Sequence, residues 1–220
     1  DIVRLALSRQ KVTYNGEFFT LPLPDGPGKA LTLTVHPVRE NIPLYLASIG
    51  PKNLELTGEI ADGWLAIFFS PENAPELMKP LIEGRAGVGK TMQGFDVVPT
   101  VPVVPGADVE ECANFVRPYA ALYVGGMGSR DKNFYNTICK KYGYEKEAIE
   151  IQDLYLAGKK EEAAAAVPGE MLSNSNLVGP KSFIKERIAS FKEAGVTMLS
   201  INPVGPNAIQ NIETLKEMIS

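Results

Sequence analysis

The sequence predicts an α/β protein in which parallel strands are joined by crossover helices. From Ile42 onward, short apolar runs alternate with segments of helical period. Twice a helical segment closes on a small-residue stop, Ala61-Asp62-Gly63 or Glu193-Ala194-Gly195, and an apolar strand begins at once. A glycine at a helix end supplies the left-handed residue that turns the chain back, and alternation of this kind means parallel strands with crossovers. The third observation is composition. With 220 residues, 45% hydrophobic and 22% charged, the chain can bury a real core and is unlike a disordered segment or a disulfide scaffold.

The elements follow in order. Ile2 to Leu7 has the pattern of an amphipathic helix, and Asn15-Gly16 between the β-prone residues of Val12 to Thr20 signals a tight hairpin turn. After the turn-rich Pro22 to Gly28, Lys29 to Val35 alternates as a short strand. Pro43 to Ala47 has the composition of a strand buried on both faces. Pro51 opens a helix through about Ile60, and Trp64 to Phe69 is the next strand. Ser70 and Pro71 are suited to a helix start, as cap and first helical residue. A strand is expected over Val97 to Val104, a helix over Asp108 to Tyr123, and further helical segments to about Val167. Glycines 125, 126 and 128 and the Tyr142-Gly143-Tyr144 stretch mark breaks. Gly179-Pro180 starts the last unit: a helix through Lys192, a strand over Val196 to Ile201 and a closing helix from about Asn207. The four strands of this series fit either an open sheet or half of a closed eight-stranded barrel.

Charge and chemistry narrow the function classes. Lys and Arg total 22 against 26 Asp and Glu, a formal charge of −4 with no basic block, which argues against a nucleic-acid or anionic-membrane partner. The longest apolar stretches, Trp64 to Phe69 and Val97 to Val104, fall far short of a membrane span. A soluble, cytoplasmic protein with reduced thiols is expected. Cys112 and Cys139 form no CxxC pair and the chain holds one histidine, so no metal site can be assembled. That histidine, His36, has no sequence-local partner for acid–base work and reads as structural, as does Trp64 within its strand.

Three segments could carry chemistry. Gly84 to Thr91 satisfies the phosphate-loop expression, but the chemistry requires a strand before the loop and a helix after it. Here helix precedes and strand follows, so an exposed helix-to-strand loop is expected instead. Gly125-Gly126-Met127-Gly128 lacks dinucleotide spacing and reads as a flexible loop or lid. Ala47-Ser48-Ile49-Gly50-Pro51-Lys52-Asn53 is better placed, because it leaves a buried strand and opens a helix. Free amides at a helix start, a serine hydroxyl and a glycine that permits close approach make an anion cradle where ligands of parallel α/β proteins bind. Simple capping by Ser48 is the plainer alternative.

The stretch Ile42-Pro43-Leu44-Tyr45-Leu46-Ala47-Ser48-Ile49-Gly50-Pro51, with Leu54 to Trp64, resembles the luciferase-like monooxygenase superfamily. It is most similar to the branch of oxidoreductases that use the deazaflavin coenzyme F420. The similarity continues at Phe95 to Pro99, Arg117-Pro118-Tyr119, Tyr123 to Gly128, Asn133-Phe134-Tyr135 and Leu177 to Pro180. The resemblance implies a (β/α)8 TIM barrel of the bacterial-luciferase type. Only about the C-terminal half of the barrel is expected, residues 1–220 forming a single domain with an excursion at 10–40 before the fifth strand and a helical insertion at 106–178 before the last. It implies hydride transfer between coenzyme F420 and a small organic molecule as substrate, in a homodimer, with neither nucleic acid nor membrane as a partner. Ala47, Ser48, Ile49, Gly50 and Pro51 correspond to the loop that faces the cofactor phosphate. Phe68, Phe69 and Ser70 stand where sugar-phosphate-oxidising relatives carry a lysine, so a non-phosphorylated substrate is expected, with Phe68 and Phe69 on the substrate side and glycines 125 to 128 as a candidate lid. The family's catalytic histidine or acidic residue lies in the amino-terminal half, so no catalytic residue carries over. Two alternatives remain: an FMN-dependent monooxygenase of the same family, and a non-catalytic phosphate-ligand-binding or dimerisation half-barrel.

Overall fold

The computed structural model describes residues 1–39 and 41–219. Its contacts gather into two units, residues 1–44 and 45–220. The first unit contains helix α1 (Ile2–Leu7) and an antiparallel pair, β1 (Tyr14–Asn15) and β2 (Thr20–Leu21). The expected hairpin forms, but its register pairs Asn15 with Thr20, so the connection runs over residues 16–19, closed by the Gly16 amide donating to the Phe19 carbonyl at 2.9 Å. The strand expected over Lys29 to Val35 is absent. Alternation there is not matched by a pairing partner: its one backbone bond to the hairpin is the Val12 amide to the Leu31 carbonyl.

The second unit holds a five-stranded parallel sheet. In chain order its elements are β3 (Tyr45–Leu46), α2 (Pro51–Ile60), β4 (Gly63–Ile67), a 3₁₀ turn (Pro71–Asn73), α3 (Ala74–Gly87) and β5 (Asp96–Pro105). An all-helical stretch follows: α4 (Val109–Asn114), α5 (Arg117–Ala121), a π-turn (Leu122–Gly126), α6 (Phe134–Lys141), α7 (Glu145–Leu156), α8 (Lys160–Ala165) and α9 (Gly169–Ser175). Then come β6 (Leu177–Gly179), α10 (Lys181–Glu193), β7 (Ser200–Pro203) and α11 (Ala208–Ile219). The order β3-β4-β5-β6, with β7 also on β5, is parallel throughout, as crossover helices require. The fold class is the α/β one expected from the alternation.

Several assignments differ from expectation. The second apolar strand stops at Ile67, because Phe68 adopts a left-handed φ of 52° and leaves the ladder. The last strand is Ser200–Pro203 rather than Val196–Ile201, because Thr197 and Met198 both direct their amides at the Val97 carbonyl and make no ladder. β6 was not foreseen, three residues being too short for a period to register. Asp108 to Tyr123 is also not one helix but α4 and α5, interrupted at Phe115–Val116.

The two faces of the sheet differ. Register and alternation put Trp64, Ala66, Val97, Val101 and Val103 on one face, where they pack with Leu54, Leu81, Ile184, Phe191 and Leu215 of the flanking helices. On the opposite face Val98 and Pro102 of β5 are buried, whereas Leu65, Ser200 and Asn202 on the flanking strands are exposed and Thr100 is half-buried. A second core caps the carboxyl ends of the strands: Phe68, Val104 and Val178 pack with residues of α4 to α9, and Ile67 of the open face joins it.

Candidate functional site

The carboxyl end of β3 leads into residues 47–50, which occupy the rim where parallel α/β proteins bind ligands. The loop is tied down from below. The Trp64 indole donates to the Ser48 carbonyl at 2.9 Å. Ser48 Oγ lies 2.7 Å from Thr57 Oγ1, whose own proton goes to the Asn53 carbonyl at 2.6 Å, so Ser48 is the donor. Ser48 is therefore not the cap of α2. That position belongs to Gly50, with no side-chain cap bond, and Pro51 takes the first helical position as expected.

Without a cap, the helix start keeps its donors. Among the described residues the amides of Ile49, Gly50, Lys52 and Asn53 find no protein acceptor, whereas the Leu54 amide closes on the Gly50 carbonyl. Ser48, Ile49 and Gly50 are half-buried and Lys52 is exposed. The sequence from Asn41 to Leu54 contains no carboxylate to oppose an anion. A Cβ on Gly50 would meet only the Phe134 ring, at 3.7 Å, so the missing side chain leaves an open notch beside α6. A phosphate-bearing coenzyme fits this donor set, with backbone amides as ligands and Ser48 as a brace beneath them.

Across from the loop, Phe68 and Phe69 part company. Phe69 is fully buried in the helix-side core, stacked on Phe191 and edge-on to Trp64 with centroids 6.0 Å away in each case. Phe68 turns the other way. Its ring lies 5.9 Å from Tyr119, 5.8 Å from Tyr123 and 6.2 Å from Tyr135, and its carbonyl accepts a 2.6 Å bond from the Tyr142 hydroxyl. Tyr119 and Tyr123 are one helical step apart, and the π-turn that begins at Leu122 sets their rings 4.7 Å from each other. Burial, then the neighbouring Tyr123 phenol, pushes the Tyr119 hydroxyl far above the ordinary tyrosine range, and burial likewise raises Tyr135. These hydroxyls are protonated across the physiological range. Sequence reading missed this cluster because its members come from four places in the chain. Only the similarity at Tyr119, Tyr123 and Tyr135 hinted at it.

The candidate lid is half fixed. Gly125 and Gly126 lie against the Tyr155 ring so closely that a Cβ on either would overlap it. Asn133 donates to the carbonyls of Tyr123 and Val124 at 2.9 and 3.0 Å, while its Oδ1 caps α6 through the Tyr135 and Asn136 amides. Met127 and Gly128 are exposed. Helix precedes and strand follows Gly84 to Thr91, as the order of elements predicts, but the expected loop covers only its second half. Residues 84–87 are the last turn of α3, and Gly84 is buried where α2 crosses. His36 accepts at Nδ1 from Arg9 Nη1 at 2.7 Å and is exposed in the first unit. Both cysteines are free and buried, and among the described residues no group of three or more His, Cys, Asp or Glu could hold a metal. No described helix is long and apolar enough to cross a membrane.

Comparison with known proteins shows the family. The family described as luciferase-like monooxygenase matches residues 1–198. A Mycobacterium tuberculosis protein assigned by name to the coenzyme F420-dependent oxidoreductases is 35% identical over 222 residues, covering 98% of this chain and 64% of its own length. The 5,10-methylenetetrahydromethanopterin reductase of Archaeoglobus fulgidus is 26% identical over 229 residues, covering all of this chain and 63% of that protein. The chain thus spans a little under two thirds of these relatives. Among solved structures, the coenzyme F420-dependent tetrahydromethanopterin reductase of Methanopyrus kandleri superposes over 99% of this chain and 59% of its own, with a TM-score of 0.81 at 21% identity.

Proposed function

Because this chain belongs to the luciferase-like monooxygenase family, we propose that it is the carboxy-terminal portion, residues 1–220, of a TIM-barrel oxidoreductase that uses coenzyme F420. In this reading it transfers hydride between the deazaflavin and a non-phosphorylated organic substrate. The observation that carries it is the open, carboxylate-free helix start at Ile49 to Asn53, held at the rim by Trp64 and Thr57. The choice of deazaflavin is supported by the name of the mycobacterial relative.

When bound, the coenzyme supplies the redox chemistry through its ring. The chain's own residues bind and orient. The amides of Gly50, Lys52 and Asn53 would hold the coenzyme's phosphate, Gly50 would let it approach, and Ala47, Ile49 and Pro51 shape the turn. Ser48 acts through Thr57, keeping the loop in register rather than donating to the ligand itself. Phe68 contributes to the substrate side, with Phe69 anchoring it from the helix-side core.

The test is F420 binding to the full-length protein, read by coenzyme fluorescence. Gly50→Val, whose side chain would fill the notch, is expected to weaken affinity by at least about tenfold, roughly 1.4 kcal/mol. Ser48→Ala is expected to have a smaller effect. Unchanged affinity in Gly50→Val would remove the cradle.

A further inference from the structure

We propose that Tyr119, Tyr123 and Tyr135, assembled on Phe68, form the specificity wall of the substrate site and select an uncharged, ring-bearing molecule with a carbonyl or hydroxyl oxygen. This deepens the oxidoreductase reading and rests on it for the site's location.

Four observations converge on these side chains. The first is strain. Phe68 holds a left-handed φ of 52°, costly for a residue with a bulky side chain. Such a conformation persists only when its surroundings over-determine it, and here a hydrogen bond from Tyr142 and three ring contacts do so. The second is the π-turn at Leu122–Gly126, an irregularity that recurs at functional sites. It is retained at a price in backbone bonds that Asn133 and Asn136 offset, both reaching the Val124 carbonyl. Its effect is to turn Tyr123 onto both Tyr119 and Tyr135, with centroids 4.7 and 4.8 Å apart.

The third observation is position. Phe68 directly follows Ile67 on the open face of the sheet, and Tyr135 is next in sequence to Phe134, whose ring borders the Gly50 notch. The tyrosines therefore stand on the same rim as the proposed phosphate cradle. The fourth is chemistry. The wall is made of ring faces and phenol protons with no ionised group among them. Of the ion pairs on flanking segments, Glu72 with Arg187 is satisfied internally at 2.5 and 3.2 Å, and Arg117 and Arg130 are taken up by Glu110 and Asp153. Tyr119, Tyr123 and Tyr135 are all half-buried, and among the described residues the Tyr135 hydroxyl has no protein partner. A surface of this kind offers edge and face contacts to a ring and a neutral donor to an oxygen, and it has nothing to neutralise a phosphate or carboxylate.

The probes are acetophenone, ethylbenzene and benzoate, titrated by ligand-detected NMR into the full-length protein loaded with F420. Acetophenone is expected to bind about tenfold more tightly than ethylbenzene, and benzoate to bind no better than ethylbenzene. Tyr135→Phe and Tyr123→Phe keep the rings and remove one hydroxyl each. At least one should abolish the preference for acetophenone over ethylbenzene while F420 affinity and melting temperature stay unchanged. Equal binding of acetophenone and ethylbenzene to the native protein, or a preference that survives in both variants, would overturn the proposal. Failure of F420 to bind, with the ketone preference intact and tyrosine-dependent, would instead overturn the cofactor reading and leave the wall standing.

Discussion

At Glu72 two effects oppose each other. Burial favours the protonated acid, whereas hydrogen bonds from Arg187 and Ser70 and the Arg187 charge favour the carboxylate, and these prevail, holding its pKa below 4.5. Glu72 lies in the 3₁₀ turn two residues beyond Ser70, which donates to it, and Arg187 also donates to the Asn174 carbonyl, so the pair fastens the Phe68–Ser70 segment to the end of the helical insertion. Arg187 Nε is buried with no partner, which makes the guanidinium depend on the bonds it does form. A carboxylate whose pKa is lower in the folded state contributes stability above its unfolded pKa and loses it as pH falls through the folded value. Glu72→Gln is therefore expected to be less stable than the native chain at pH 7, with the difference shrinking as pH drops below 4.5. The Glu72 side chain is 44% exposed, so solvent screening keeps the effect modest. Urea unfolding at pH 7 and pH 4 checks this; a gap that stays constant with pH would mean the pair is not the cause.

The crossing of α2 and α3 is set by two glycines. A Cβ on Gly58 would overlap the Leu81 carbonyl, and one on Gly84 the Glu55 carbonyl, so the helices meet backbone to backbone. Gly84→Ala is expected to destabilise the protein by about 2 kcal/mol, because neither backbone can yield without moving its helix. Lys90→Ala, on the exposed turn beyond α3, should stay within about 0.5 kcal/mol of the native chain, and neither variant should alter nucleotide binding. Thermal unfolding separates the two. The same segment shows what a sequence reveals about an element. Its glycines and lysine spell a phosphate loop, yet Gly84 serves the helix crossing and Gly89 a left-handed turn at φ 71°, roles that the shared spacing does not distinguish. Helix α2 was legible to the residue because proline starts it and an Ala-Asp-Gly stop ends it. Strand limits were less so, since the left-handed Phe68 and the doubled bonds to the Val97 carbonyl are tertiary events.

Across the whole molecule, the Ala47–Pro51 loop could be read from sequence because its chemistry is contiguous, whereas the tyrosine wall could not, being gathered from residues 68, 119, 123 and 135 by two cores meeting at the strand ends. The same architecture distributes stability unevenly. β5 pairs with β4 and, further along, β6 on one edge and with β7 on the other, and Val97, Val101 and Val103 are fully buried beneath the helices. β7 pairs with β5 alone among the described strands, and Ser200 and Asn202 are exposed on the open face. Local opening is cheapest where buried contacts are few and backbone bonds face solvent. Hydrogen exchange on the 220-residue chain should therefore find the β5 amides exchanging only with global unfolding and those of β7 opening with less protection. Uniform protection across the two strands would mean that the open face is covered by contacts that Leu65, Ser200 and Asn202 do not make here, and that the asymmetry of the sheet is not what orders its stability.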